Sequence, residues 1–145
     1  MRQHLVLCLV LAAAPALAAA QAGATDAPGY ELETVATGLD MPWCVAFLPQ
    51  GGFLVTELGG TLRRVGADGV VGDPIAGVPK VYRASQGGLF DVLLAPDFAT
   101  SRVLYLSYAE GPPDSNTTAV ARARLDGDAL ADVEVIFRVT PRKDT

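Results

Sequence analysis

The sequence predicts an all-β fold of about two four-stranded antiparallel blades, on three observations. Short apolar and β-branched runs recur at close intervals between glycine-rich turns. No stretch carries a helical period. A unit also repeats: WCVAFLP at Trp43 to Pro49 returns as FDVLLAP at Phe90 to Pro96, each followed by a turn, two further strands and an Asp-Gly turn. Repeats of about 40 to 50 residues are the size of a propeller blade.

From the N-terminus, residues 1–20 read as a secretory signal peptide. Arg2 precedes an apolar run from Leu5 to Leu11, and Ala18 and Ala20 form a small-residue cleavage site. That run is shorter than the ~20 residues that span a bilayer and Pro15 breaks it, so no membrane span is expected after cleavage. The chain is expected to be exported, to the periplasm or beyond. Residues 21–29, small, polar and broken by Pro28, read as a disordered leader before a propeller portion over residues 30–145.

Within that portion the strands expected in order are Tyr30 to Ala36, Trp43 to Leu48, Phe53 to Glu57 and Thr61 to Val65, then Leu89 to Ala95, Val103 to Ala109, Thr118 to Leu125 and Val133 to Val139. Turns are expected at Gly51-Gly52, Gly59-Gly60, Asp68-Gly69 and Asp126-Gly127. In WCVAFL both alternating faces are apolar, as when blades cover both sides of a strand; a sandwich strand would expose one polar face.

Composition removes several functions. With 50% hydrophobic residues and a net charge of -5, the chain is neither disordered nor suited to nucleic acid. Its arginine pairs, Arg63-Arg64 and Arg122/Arg124, lack interleaved aromatics and read as solvated strand faces. Signal cleavage would remove Cys8 and His4, leaving Cys44 without a disulfide partner and no histidine at all. Cys44 then reads as a small buried hydrophobe, and histidine-based catalytic devices or zinc sites are excluded within these residues. A base here would be a carboxylate, lysine or tyrosine.

The segment SQGGLFDVLLAPDF, Ser85 to Phe98, is the candidate rim of a binding site. Gln86 precedes two glycines at the mouth of an apolar strand, which lets its amide point into a cavity. Asp91 reads as a partnered structural carboxylate, and Trp43 as blade core rather than a sugar-stacking platform. Asp126, Asp128, Asp132 and Glu134 resemble a calcium loop, but Leu130 takes a ligand position and the central glycine is missing, so a hairpin turn is expected. Asn116 to Thr118 form a glycosylation sequon.

Three stretches in order carry a family resemblance: Gly38 to Val65 (GLDMPWCVAFLPQGGFLVTELGGTLRRV), Gly77 to Phe98 (GVPKVYRASQGGLFDVLLAPDF) and Val103 to Glu110 (VLYLSYAE). Together they resemble the N-terminal part of soluble PQQ-dependent aldose sugar dehydrogenases of the glucose/sorbosone dehydrogenase family. The resemblance implies a six-bladed β-propeller with PQQ near its axis. It also implies oxidation of the C1 hydroxyl of an aldose to a lactone: a histidine takes the proton, hydride passes to the quinone C5, calcium polarises the cofactor, and an external electron acceptor follows. Gln86 matches the family glutamine beside PQQ and sugar. The histidine, the calcium ligands and most cationic PQQ contacts come from later blades, beyond Thr145. No catalytic or metal residue is therefore expected in these 145 residues, and the chain alone is expected to be inactive. Two other expectations stand beside this one: a non-catalytic propeller module that self-associates to close its ring, and a small β-sandwich.

Overall fold

A computed structural model describes residues 29–141 together with 143 and 144. The expected signal peptide, and the expected leader apart from Gly29, lie outside the described residues. The chain divides into two units, Met1–Leu32 and Glu33–Thr145. Gly29 to Leu32 carry no regular structure. The architecture below belongs to the second unit.

Two antiparallel meanders form. The first sheet runs β1 (Pro42–Phe47), β2 (Phe53–Glu57), β3 (Thr61–Val65) and β4 (Val71–Pro74), in that spatial order. The second runs β5 (Leu89–Leu94), β6 (Val103–Glu110), β7 (Ser115–Asp126) and β8 (Ala129–Arg138), also in order, with the short β9 (Lys143–Asp144) paired to the start of β7. Both are four-stranded blades, as the repeat predicts. Between β5 and β6 lies a single helical turn, α1 (Phe98–Ser101), which buries Phe98 and is too short to leave a period in the sequence.

Two strand expectations need correction. Tyr30 to Ala36 has strand-like alternation, yet no strand is assigned there and Leu32 is 90% exposed. Alternation supplies a face; a strand also needs a backbone partner, and none of the described strands pairs with this span. Conversely, β4 escapes detection because Gly72 and Pro74 interrupt its pattern, which an edge strand tolerates.

The core lies between the two sheets. Ala46, Leu54, Leu62 and Ile75 come from the first blade, and Leu89, Val92, Leu104, Leu106 and Tyr108 from the second. Along β7 the residues turned to this core are Ala119, Ala121, Ala123 and Leu125, while Val120, Arg122 and Arg124 alternate away. Three small side chains in a row let the sheets approach closely. Tyr108 is 1% exposed, and burial first, then the charge of Glu110, raises its phenol above the ordinary tyrosine range. Its hydroxyl bonds to Glu110, which pairs in turn with Arg138.

Only one face of β1 is covered among the described residues. Ala46 is buried and Cys44 and Leu48 pack on the core, but Val45 and Phe47 are open, Phe47 at 78% exposure. The expectation of cover on both faces is thus met on one. Cys44 is half-buried rather than buried.

Hydrogen bonds lock the blades together at both ends. Near β1, the Leu89 N–H donates to the Leu58 carbonyl at 3.2 Å, and the buried Thr56 hydroxyl donates to the Phe90 carbonyl while accepting from the Cys44 N–H at 3.0 Å. At the outer edge Ala76 donates to Asp128 O at 2.9 Å and accepts from the Leu130 N–H at 2.8 Å, and Arg64 pairs with Asp128 at 3.2 Å. Gly88 makes the inner junction possible, since a Cβ there would collide with the Leu58 carbonyl oxygen and with its carbon at 3.0 Å. Backbone against backbone leaves no flexible side chain to yield. Gly59 lies nearby in the same chain with nothing within 4 Å of its notional Cβ. Gly88→Ala should therefore lower stability in urea unfolding by about 1–3 kcal/mol, whereas Gly59→Ala should stay within about 0.5 kcal/mol. Equal effects of the two would refute the close-approach reading.

Candidate functional site

The sequence SQGG becomes a tight, pinned turn. The Tyr82 N–H donates to Ala109 O at 2.7 Å and the Ala109 N–H donates to Gly88 O at 2.8 Å, which fixes both ends of the loop to the end of β6. Inside it the Gly87 N–H closes onto Ala84 O at 2.7 Å. Ser85 takes a left-handed φ of 51°, a conformation tolerated when surroundings over-determine it. Gln86 stands exposed at the apex, and its side-chain amide makes no hydrogen bond with another described residue.

That amide borders a cleft of about 450 Å³, whose wall includes Trp43, Phe90, Asn116, Thr117 and Val139. A second hollow of about 500 Å³ on the other side of the turn shares Gln86, Gly87, Ala109 and Asn116. The two therefore meet across the Gln86 turn. Thr117 is committed elsewhere, its hydroxyl donating to Val139 O at 2.7 Å, and the Asn116 amide donates to Pro113 O at 3.1 Å. None of the described residues lining the 450 Å³ cleft beside Trp43 is ionisable. A wall of this kind offers aromatic faces and neutral amide and hydroxyl groups, without an ionised side chain among its described residues.

Trp43 corrects an expectation. It is 52% exposed and lines the cleft instead of filling the blade core, with its ring 6.3 Å from that of Phe90 at 52°. A register irregularity between Pro42 and Cys44 lets the indole leave the regular alternation of β1. Trp43 and Phe90 occupy the same position in the two copies of the repeat, so the repeat itself held the signal for this aromatic pair. Asn116 was visible only as a sequon residue, because it reaches the cleft from the start of β7, far from Gln86 in sequence.

The remaining candidates fall outside the cleft. Asp91 exchanges hydrogen bonds with Ser107: its carboxylate accepts from the hydroxyl at 3.0 Å and its N–H donates to the same oxygen at 3.1 Å. This is the partnered carboxylate the sequence suggested. Asp126 and Asp132 both pair with Arg124, and Asp128 pairs with Arg64, so these carboxylates face cations around the hairpin turn at Gly127 and Asp128. Among the described residues no group of three or more His, Cys, Asp or Glu side chains is placed to hold a metal ion.

Comparison with known proteins gives the family and the fold. The family model described as Glucose / Sorbosone dehydrogenase matches residues 39–145. The chain is 44% identical over 118 residues to the aldose sugar dehydrogenase YliI of Escherichia coli strain K12, covering 79% of this chain and 32% of that protein. A solved glucose dehydrogenase is 50% identical with a TM-score of 0.70, over 73% of this chain and 34% of its own. The PQQ-bound form of an aldose sugar dehydrogenase from Streptomyces coelicolor is 32% identical with a TM-score of 0.61, over 76% of this chain and 34% of its own. The chain thus spans about a third of the length of the relatives it matches, and its two sheets are two blades of a β-propeller.

If Asp91 is structural, Asp91→Asn should cost no more than about 1 kcal/mol of stability and leave ligand binding at the cleft unchanged. Loss of binding without loss of fold would return Asp91 to the site.

Proposed function

The chain belongs to the glucose/sorbosone dehydrogenase family, and on that premise we propose that it forms one wall of a site at which an aldose is oxidised at its C1 hydroxyl to the lactone with PQQ as the cofactor. The observation that carries this is Gln86: a neutral amide without a hydrogen-bond partner among the described residues, at the apex of a pinned turn, bordering an aromatic-lined cleft. An amide both donates to a carbonyl oxygen and accepts from a hydroxyl, which suits a quinone and a sugar side by side.

The residues fit part of the cofactor. PQQ is a flat quinone bearing three carboxylates. Trp43 and Phe90 suit its flat body, and Gln86 suits its oxygens. The carboxylates call for cations, which the described lining does not include, so those contacts belong elsewhere in the protein. Calcium does not fit the described residues, which bring no three His, Cys, Asp or Glu side chains together. When bound, PQQ supplies the hydride acceptor. The chain's own residues orient the sugar and exclude water; none of the described cleft residues accepts the hydroxyl proton. His4 is the only histidine in the sequence, so the proton acceptor is proposed to lie outside the cleft described here and the 145-residue polypeptide to be inactive alone.

Export by the N-terminal signal, and passage of electrons to an external acceptor, complete the proposal. No helix among the described residues is long and apolar enough to cross a membrane.

In the full-length protein loaded with PQQ, Gln86→Ala should lower kcat/KM for aldose oxidation by about 10- to 100-fold, the equivalent of losing one or two hydrogen bonds in the transition state. Dye reduction coupled to lactone formation measures it. An unmodified protein that oxidises no aldose, or a Gln86→Ala variant of undiminished activity, would overturn the proposal.

A further inference from the structure

We propose that Arg83 is a positioning residue that holds the Gln86 turn toward the cleft by clamping the two carbonyls that flank Gln86. The proposal rests on the reading of Gln86 as a ligand-facing group. Arg83 lines neither hollow and would act only through the turn.

Its guanidinium is committed entirely to this neighbourhood. Nη1 donates to the carbonyl of Ser85 and to that of Gly87, the latter at 3.3 Å. Nη2 reaches Met41 Sδ at 3.6 Å. No carboxylate pairs with Arg83 among the described residues, although Arg63, Arg64, Arg124 and Arg138 each have one. A long cation whose hydrogen bonds to the described residues all go to the two backbone oxygens on either side of Gln86 and to a thioether acts as a clamp. Charge-assisted bonds to carbonyls are about twice as strong as neutral ones, and the planar guanidinium places Nη1 on both carbonyls while Nη2 reaches the thioether, a fixed geometry that the compact ammonium of lysine lacks.

The far end of the clamp is itself anchored. Met41 sits in the left-handed region at φ 47°, and its carbonyl accepts from the Leu58 N–H at 3.0 Å. Beside it the Asp40 N–H donates to the buried Glu57 carboxylate at 2.8 Å, and Arg63 Nε holds the other oxygen of that carboxylate at 3.2 Å. Arg83 thereby ties an exposed turn, closed internally by the Gly87-to-Ala84 bond, to a loop braced on the buried Glu57 and its half-buried partner Arg63. Without the guanidinium, the Ser85 and Gly87 carbonyls turn to water and the left-handed Ser85 loses its restraint.

Hydrogen exchange on the full-length protein tests this without relying on catalysis. Arg83→Met should speed exchange of the Gly87 amide about tenfold or more, with β5 to β7 protected as before. It should also weaken PQQ affinity, or raise KM for the aldose with a smaller change in kcat, about five- to tenfold. Arg83→Lys, which keeps the charge and loses the fork, should restore only part of both. Unchanged exchange at Gly87 in Arg83→Met, full rescue by lysine, or faster exchange with unchanged ligand affinity and KM would each overturn the proposal. A protein that neither binds PQQ nor oxidises an aldose would defeat the reading of Gln86, while exchange at Gly87 would still decide whether Arg83 fixes the turn.

Discussion

The contact between Gly88 and the Leu58 carbonyl sets the geometry on which the rest depends. Two backbones meet there with no side chain between them, and the Leu89 N–H completes the approach by donating to the same carbonyl. From that point β5 runs against the end of β2, Thr56 reaches the Phe90 carbonyl, and the alanines of β7 keep the two sheets near enough for Leu54 and Leu62 to share a core with Leu104 and Leu106. Substituting a larger residue at Gly88 would separate backbones, a change that cannot be absorbed by rotating a side chain.

The same junction places the candidate site. Gln86 lies two residues before Gly88, so the turn that presents its amide starts from the most tightly constrained point of the inter-blade contact. Rigidity behind and exposure in front is the arrangement a recognition group requires: the scaffold meets the entropic cost of order before the ligand arrives. Across the cleft the two repeat-related aromatics, Trp43 and Phe90, come from the first strand of each blade, so the site is built from the symmetry of the fold itself. The described wall is neutral, so the proposed role for it is orientation and shielding.

Much of the fold was legible because inner strands have strong apolar patterns. β2 and β3 have the bounds that alternation suggests, and β5 and β6 differ from them by one residue. Legibility fails where a pattern is short or lacks a partner. Gly72 and Pro74 hide β4, α1 is one turn long, and Tyr30 to Ala36 has the pattern of a strand without a neighbouring strand. In the site, Gln86 was visible because its glycines mark a local turn. Trp43 was misplaced because a local bulge breaks the alternation, while Asn116 joins the cleft from the start of β7, far from Gln86 in sequence. Arg83 left no local signal, since its partners are backbone carbonyls and a methionine more than forty positions away.

The central claim is that the Gln86 amide is a wall of the cofactor and sugar site. A crystal structure of the full-length protein with PQQ and an aldose tests it most directly. The Gln86 side chain should lie at about 3 Å from an oxygen of the quinone or the sugar, with Trp43 and Phe90 lining the same cavity. A ligand bound away from the Ala84 to Gly88 turn, with the Gln86 amide facing water, would contradict it.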